Sequence, residues 1–483
     1  QADISISAGN SDAIHVQANI EVSDEAQEVI DKFFAQCELV LQPYRDGFRL
    51  KIETPLDEFR RSGRRDGLSG FFRALFRDGN DHISVSTDMQ IEVPAQYSLE
   101  ISNKYGDIAI AGIAGDLLID NSSGEVSVEK SSGHLEIKNS YAAIDVQGFG
   151  GAVDIRNSSG AVDVRDITGE TRIDNSYKPV RFRNIDGTLE IDGQSSEVAG
   201  SRVSGDCTIN TSYKPIAVSG IGGTLTINGA SCSVDAQNIR RDVDIRSSYK
   251  EISVDSVGGS LKIDSQSAPV RATRIARYAT IRSSYKPIYV SDVGGTLDID
   301  GGSCTVTVQR VENDVNIVSS YKEIQVEEVA GHLEISGGSS PVSVADIEKN
   351  VRIRSSYKNI SVERAGGDVE INGSSCSVVV TDAGGNIDVT NSYKYVLIKG
   401  SRGSITVRGN SSPIDVSGIR AIPKGARIDL ITTYKPVTVI LPADADVKIM
   451  ANTQYGKIRS DFPVYLDADS GDAKNIHFEL GEG

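Results

Sequence analysis

Residues 285–320 read YKPIYVSDVGGTLDIDGGSCTVTVQRVENDVNIVSS, and this stretch decides the fold because its pattern recurs along most of the chain. It contains two units of equal length, which we call rungs and number from slot one (Tyr285 or Ser303) to slot eighteen. Tyrosine recurs nine times at an unvarying 36-residue spacing from Tyr105 to Tyr393, with a serine midway after each. A fixed period of this kind is typical of stacked repeats that bury their apolar faces against one another. Residues 105–410 therefore divide into 17 rungs of a solenoid.

Within each rung, aliphatic residues recur at slots four, six, nine, thirteen and fifteen. The spacing of two within each pair is that of a β-strand. Slot four is β-branched in every rung from Ile108 to Val396, and slot eleven is mostly glycine, which suits a turn between strands. The pattern predicts an all-β fold, a single-stranded parallel β-helix with 18-residue rungs. At ~4.8 Å per rung, 17 rungs would make a rod on the order of 80 Å long.

The tyrosines of slot one are predicted to point inward. If the alternation of slots thirteen and fifteen continues, slots seventeen and one face the same interior. Tyrosine and serine would then alternate along a buried column, as expected for repeated aromatic residues that pack.

Three regions are predicted. Residues 1–104 form an N-terminal cap region with strands and an inserted helix over about residues 23–41, including Cys37. Residues 105–410 form the regular solenoid, and residues 411–483 form irregular C-terminal rungs. The basic and apolar segment 60–77, RRSGRRDGLSGFFRALFR, is interpreted as a loop and short helix packed on the first rungs, or as a docking site for an anionic surface.

The two chain ends suggest processing. Gln1 rather than Met stands first, which favours removal of an export signal. The sequence stops on Gly-Glu-Gly, a turn-like ending, so we expect a final strand beyond residue 483 or its completion by another molecule.

Composition limits the possible partners. The net charge of -17 argues against non-specific nucleic-acid binding, and no apolar stretch reaches the length of a membrane span. Cys232, Cys304 and Cys376 lie four rungs apart, or ~19 Å, which is too far for a disulfide. All five cysteines are interpreted as small apolar residues or free thiols.

The stretches SSYKPIYVSDVGGTLDIDGGS (residues 283–303), NSSGAVDVRDITGETRIDNS (residues 157–176) and the closing FELGEG resemble bacterial adhesin-like families of unknown function with β-helical repeats. The resemblance covers most of the chain. It implies a right-handed β-helix, export to the periplasm or cell surface, and no established enzymatic activity.

The residues themselves indicate no catalytic site, metal site or cofactor. The five histidines are scattered, and residues 105–410 lack the loop insertions that carry active sites on many β-helices. One candidate binding feature is a cationic stripe along the rod, spaced by ~9.6 Å, which could bind an anionic polymer or simply oppose aggregation. It consists of Lys178, Lys214, Lys250, Lys286, Lys322, Lys358, Lys394 and Lys435.

We therefore expect a non-enzymatic, extracytoplasmic bacterial protein that acts as an adhesin-like structural or scaffold rod. Its partners would be copies of itself, joined end to end, or an anionic cell-surface polymer. The alternatives are a subunit of a self-assembling extracellular filament and, less favoured, a polysaccharide-active β-helix enzyme.

Overall fold

The structure is a computed structural model, and it describes residues 2–23, 30, 31, 34, 35, 37–44, 47–53, 84–419, 422–454, 456–461 and 474–480. The chain divides into two compact units, Gln1–Gly169 and Glu170–Gly483. Each is an all-β parallel solenoid in which every rung gives one strand to each of two sheets, as the sequence predicted. We call these sheet I, whose strands begin at slot four, and sheet II, whose strands begin at slot thirteen.

In the second unit, sheet I extends without interruption through fifteen strands, each paired in parallel with the next. Partners such as Ile252 and Val270 occupy the same slot of successive rungs, so equivalent slots lie above one another. The strands are Val180–Ile185, Val198–Val203, Ile216–Ile221, Val234–Ile239, Ile252–Val257, Val270–Ile275, Ile288–Val293, Val306–Val311, Ile324–Val329, Val342–Ile347, Ile360–Ala365, Val378–Ala383, Val396–Ser401, Ile414–Ser417 and Val437–Val439.

Sheet II of the second unit runs alongside, also with fifteen parallel strands. They are Thr171–Asn175, Leu189–Asp192, Cys207–Thr211, Leu225–Gly229, Val243–Arg246, Leu261–Asp264, Ala279–Arg282, Leu297–Asp300, Val315–Val318, Leu333–Gly338, Val351–Ser356, Val369–Ser374, Ile387–Ser392, Ile405–Asn410 and Ile428–Thr432. The last rung is longer than the others, yet Ile414 still pairs with Val437, so the additional residues lie between the strands and the register is kept.

The first unit repeats this arrangement. In its rungs, the sheet I strands are Ile108–Ala111, Val126–Glu129, Ile144–Phe149 and Val162–Ile167. The sheet II strands are Leu99–Asn103, Leu117–Asn121, Leu135–Asn139 and Val153–Asn157. From Ile101 to Val416 the aliphatic side chains at slots four, six, nine, thirteen and fifteen are buried, which confirms the predicted core. Full burial of one such side chain contributes roughly 1.5–3 kcal/mol, repeated at five places per rung.

The gap of three between slots six and nine has a backbone cause. Every residue at slot eight, from Gly112 to Gly418, has a positive φ, between +46° and +78°. One left-handed residue turns the chain and reverses the alternation, so slot nine faces inward again. The ladder skips this slot accordingly: Ser219 pairs with Gln237, and the next pair is Ile221 with Ile239. Slot-eleven glycines instead permit close stacking, since a Cβ at Gly223 would lie 2.5 Å from the backbone nitrogen of Asp206.

Small polar residues at slot seventeen close the opposite corner. Ser247, Ser283 and Ser319 are buried, and each hydroxyl donates to a slot-two carbonyl of its own rung, at 2.9 Å. Asn121 and Asn139 act similarly through their amides in the first unit. The inward direction predicted for slot seventeen is therefore confirmed, and these buried polar groups are satisfied.

The first unit begins with five strands, of which the first, second and fifth extend its sheet I and the third and fourth form a separate two-stranded sheet. They are β1 (Ala2–Gly9), β2 (His15–Ser23), β3 (Glu38–Tyr44), β4 (Gly47–Glu53) and β5 (Ser84–Pro94). β1 lies between β5 and the first rung, parallel to both: Ile6 faces Ile91 on one side and Ile110 on the other. β2 pairs antiparallel with β5, and β3 with β4.

The small helical cap predicted over residues 23–41 is not shown by the described part of this segment. Residues 30, 31 and 34 are helical and the Ala35 amide donates to the Asp31 carbonyl, but strand β3 already begins at Glu38. Cys37 therefore precedes a hairpin rather than lying in a helix. Residues 60–77 lie outside the described residues.

At the C-terminal end, Val447–Thr453 pairs antiparallel with Lys474–Leu480. None of the helices in the described residues has the length and apolar character needed to cross a membrane. All five cysteines are free, and Cys207, Cys232, Cys304 and Cys376 are buried in the second unit. Burial raises the pKa of the Cys207 thiol to about 12 and raises those of Cys232, Cys304 and Cys376 as well.

Strand β1 pairs with residues about a hundred positions away in the chain. We therefore expect Ile6→Ala to destabilise the N-terminal strands of the first unit locally. Loss of this buried side chain should cost about 2–4 kcal/mol. Amide hydrogen exchange should accelerate in β1, β5 and Ile108–Ala111 but not around Ile335 in the second unit. The exposed control Ser7→Ala should change neither region, and uniform acceleration through both would contradict the assignment.

The buried thiols should be inert in the native protein. At pH 8, an aqueous thiol reagent should leave Cys207, Cys232, Cys304 and Cys376 unmodified, because burial disfavours the reactive thiolate. In denaturant, all five cysteines should react. Rapid native labelling at Cys304, detected by mass spectrometry, would contradict its place in the interior.

Candidate functional site: the tyrosine–lysine ridge

The candidate site is a row of tyrosine–lysine pairs along one corner of the second unit, between the end of a sheet II strand and the start of a sheet I strand. We call it the tyrosine–lysine ridge. Successive pairs are two rungs apart, or ~9.6 Å. The ridge comprises Tyr177–Lys178, Tyr213–Lys214, Tyr249–Lys250, Tyr285–Lys286, Tyr321–Lys322, Tyr357–Lys358, Tyr393–Lys394 and Tyr434–Lys435.

The tyrosine side chains point outward, so the prediction of a buried column was wrong. Between 62% and 94% of each ridge tyrosine is exposed. The prediction carried strand alternation from slot fifteen through to slot one, but the strand ends before the corner. Tyr105 and Tyr141, in the first unit, are exposed as well.

The corner itself is a tight γ-turn centred on tyrosine. Tyr213, Tyr249, Tyr357 and Tyr393 have φ between +65° and +71°. The following lysine amide donates to the carbonyl of the preceding serine, as in Lys214 to Ser212 at 2.9 Å. The γ-turn with positive φ is the rarer and more strained form. For a residue other than glycine, such a conformation costs on the order of 1–3 kcal/mol.

The rungs that alternate with the tyrosine rungs turn the corner differently, which accounts for the 36-residue period. In these rungs slot one is a half-buried serine and slot two is a small residue with no exposed surface. The slot-two residues are Ser196, Cys232, Ala268, Cys304, Ser340, Cys376 and Ser412. Slot two thus faces inward in one rung and outward, as lysine, in the next.

The eight lysines of the predicted cationic stripe are all exposed on this ridge. Two of them reach back along it: Lys250 Nζ donates to the Tyr213 carbonyl at 2.9 Å, and Lys394 Nζ to the Tyr357 carbonyl at 3.3 Å. These contacts give lysine a structural role at the turn while leaving its charge at the surface.

The ridge has a charge opposite to that of the whole chain. From Ser176 to Lys435, slots eighteen, one and two contain no acidic residue. Slot three adds three, Glu197, Glu251 and Glu323, against the eight lysines. The chain as a whole carries a net charge of -17, so the ridge is a local cationic strip on an acidic protein.

At the slot-eight corner, by contrast, the cations are paired across adjacent rungs. Arg310 Nε donates to Asp292 Oδ1 at 2.6 Å and Arg364 Nε to Asp346 Oδ1 at 2.6 Å, each with a second bond from its Nη2. Hydrogen bonding to the arginine lowers the pKa of both Asp292 and Asp346.

Other chemistry is sparse in the described part of the chain. It holds no group of three or more His, Cys, Asp or Glu side chains placed to bind a metal ion. The slot-twelve residues serve the stack: the backbone amide of His332 donates to Asp314 Oδ1 of the preceding rung, and that of Thr224 to Asp206 Oδ1. Asp298 and Asp300 face solvent, as predicted.

The sequence located the ridge lysines but missed the exposed tyrosines beside them. The signal was present in slots one and two, which alternate between Tyr-Lys and a pair of small residues. A continuing strand would not require this change at every second rung. Proline at slot three, as in Pro215 and Pro287, also marks a turn rather than an interior position.

Comparison of the chain with known protein families, with curated proteins and with solved structures found no match in any of the three.

The paired arginines give a pH prediction. Because the folded-state pKa values of Asp292 and Asp346 are depressed, their contribution to stability is present above the unfolded pKa and is lost as pH falls through the folded pKa. The double variant Asp292→Asn, Asp346→Asn should therefore be slightly less stable at pH 7, because an exposed ion pair contributes little to stability. In strong acid the difference should vanish; denaturant unfolding at both pH values measures it. A difference that persists or grows in acid would contradict the pairing.

Proposed function

We propose that this chain is a non-enzymatic, adhesin-like structural scaffold that acts outside the cytoplasm of a bacterium. The observation that carries the proposal is the ridge. Equivalent exposed groups repeat at a constant interval over the second unit, which suits attachment to an extended partner. An enzyme would instead need different groups converging on one reacting bond.

The scaffold role is supported by the way the rungs are held. Stacked strands share five buried columns and a continuous ladder of backbone hydrogen bonds, and each added rung extends the surface without a new core. Such a framework keeps the exposed groups at fixed spacing. A multivalent partner could then bind many weak contacts at once.

The extracytoplasmic location and a right-handed winding form part of the same proposal. Their support is the resemblance of the repeats, such as residues 283–303, to bacterial adhesin-like families with β-helical structure. We propose that the chain is a distant relative of those families.

A second candidate is the subunit of an end-to-end filament. The last rung of the second unit leaves Ile431, Val437, Val439 and Ile440 exposed, and no strand among the described residues follows it in either sheet. An open edge with exposed aliphatic residues can pair with another chain.

Light scattering over a range of concentrations separates these functions. The scaffold proposal predicts the mass of one chain at every concentration. Growth with concentration would favour the filament, and Val439→Lys should then abolish it because a charged edge opposes strand addition. The exposed substitution Lys349→Glu, between the interior strands Val342–Ile347 and Val351–Ser356, is the control.

The enzyme alternative has its own assay. Incubation with linear uronate polymers should generate no new chain ends and no unsaturated products. Depolymerisation that rises with protein concentration would overturn the non-enzymatic proposal.

A further inference from the structure

We propose that the tyrosine–lysine ridge binds a linear, β-1,4-linked anionic polysaccharide, with one tyrosine–lysine pair for every two sugar units. This inference names the ligand of the adhesin-like scaffold and rests on that proposed function.

Folding does not explain the tyrosines of the ridge. In seven of the eight ridge rungs, slot one adopts a left-handed conformation, which glycine and asparagine adopt at lower cost. Tyrosine nevertheless occupies seven such positions, from Tyr213 to Tyr434, with most of its surface exposed. An aromatic residue kept repeatedly in an unfavourable backbone conformation, without burial, indicates selection for its exposed ring.

Slots one and two of the ridge rungs are constant, in contrast to the neighbouring slot three. Over the eight ridge rungs, slots one and two remain Tyr and Lys, whereas slot three changes through Pro, Glu, Asn and Tyr. All three positions lie at the same corner. Slot three varies although it shares this corner, so the corner alone does not require the constant tyrosine and lysine of slots one and two.

The chemistry of a tyrosine–lysine pair suits an anionic sugar. An exposed aromatic face packs against the apolar C–H face of a sugar ring, while an ammonium group attracts the sugar's carboxylate. A cationic strip on a protein of net charge -17 selects an anion at the ridge and repels it elsewhere. Lysine contacts to turn carbonyls, as in Lys250 to Tyr213, keep the charge beside the rings.

The spacing of the pairs along the ridge matches an extended polysaccharide. The pairs recur at ~9.6 Å, which is close to the length of two sugar units in an extended β-1,4-linked chain. Such a chain is a flat ribbon whose alternate units present the same face to one side. An α-linked polyuronate of equal charge is buckled and repeats over a shorter distance, so it would fall out of step with the ridge.

The test uses the full chain and two probes of equal charge per sugar, β-1,4-linked polymannuronate and α-1,4-linked polyguluronate, in binding titrations. Polymannuronate should bind more tightly, and its affinity should increase with chain length as further pairs are engaged. Equal affinity for the two polymers, or no binding to either, would overturn the proposal.

Two variants test the residues. Replacing Tyr249, Tyr285, Tyr321 and Tyr357 by Asn retains the left-handed turns, so the protein should remain at least as stable while polymannuronate affinity falls by about tenfold or more. Replacing Lys250, Lys286, Lys322 and Lys358 by Glu should abolish binding.

The control replaces Lys262, Lys349, Lys399 and Lys424, exposed lysines outside the ridge, by Glu. This control has the same net charge and should retain binding.

An equal loss in the control, or binding unchanged by the asparagine variant, would show attraction of polyanions in general and overturn the assignment. Poly-aspartate, an anionic chain without sugar rings, should bind weakly; affinity equal to that of polymannuronate would have the same meaning. Depolymerisation of the probe would overturn the non-enzymatic function while leaving ridge binding to be judged by these variants.

Discussion

The structure depends on turns of equal circumference that hydrogen-bond in parallel to their neighbours. The constant length of the rungs brings each slot above its equivalent, so one choice of residue is repeated as a column. Apolar columns at slots four, six, nine, thirteen and fifteen supply the burial, and the backbone ladders of sheets I and II satisfy the polar groups that burial would leave unpaired. A one-residue slip would place every strand side chain on the wrong face, which makes the register strongly specified.

Much of this could be predicted from the sequence because the determining interactions are repeated and local. The β-branched column from Ile108 to Val396 and the constant period specify both sheets. The left-handed column at slot eight could not be predicted in the same way. Its residues are of very different types, such as Gly220 and Arg364, and share only a backbone angle. The position of β1 depends on pairing with residues about a hundred positions away, for which the sequence carries no periodic signal.

The error at the tyrosines has a physical cause. Strand alternation holds only while the backbone remains extended, and a γ-turn with positive φ redirects the side chain that follows. The interior corner is filled instead by small residues such as Cys304 and Ala268, which are buried in alternate rungs. The same stack thus accommodates two kinds of corner, one that closes the core and one that presents an aromatic ring and a cation.

Distances along the ridge measure most directly whether equal rungs stack in register. Spin labels attached to cysteine at position 213 paired with 285, and at position 213 paired with 357, lie four and eight rungs apart, and pulsed electron paramagnetic resonance measures both separations. The stack predicts distances of about 19 Å and about 38 Å, in a ratio of one to two. Two distances that do not grow in proportion to the number of rungs would contradict it.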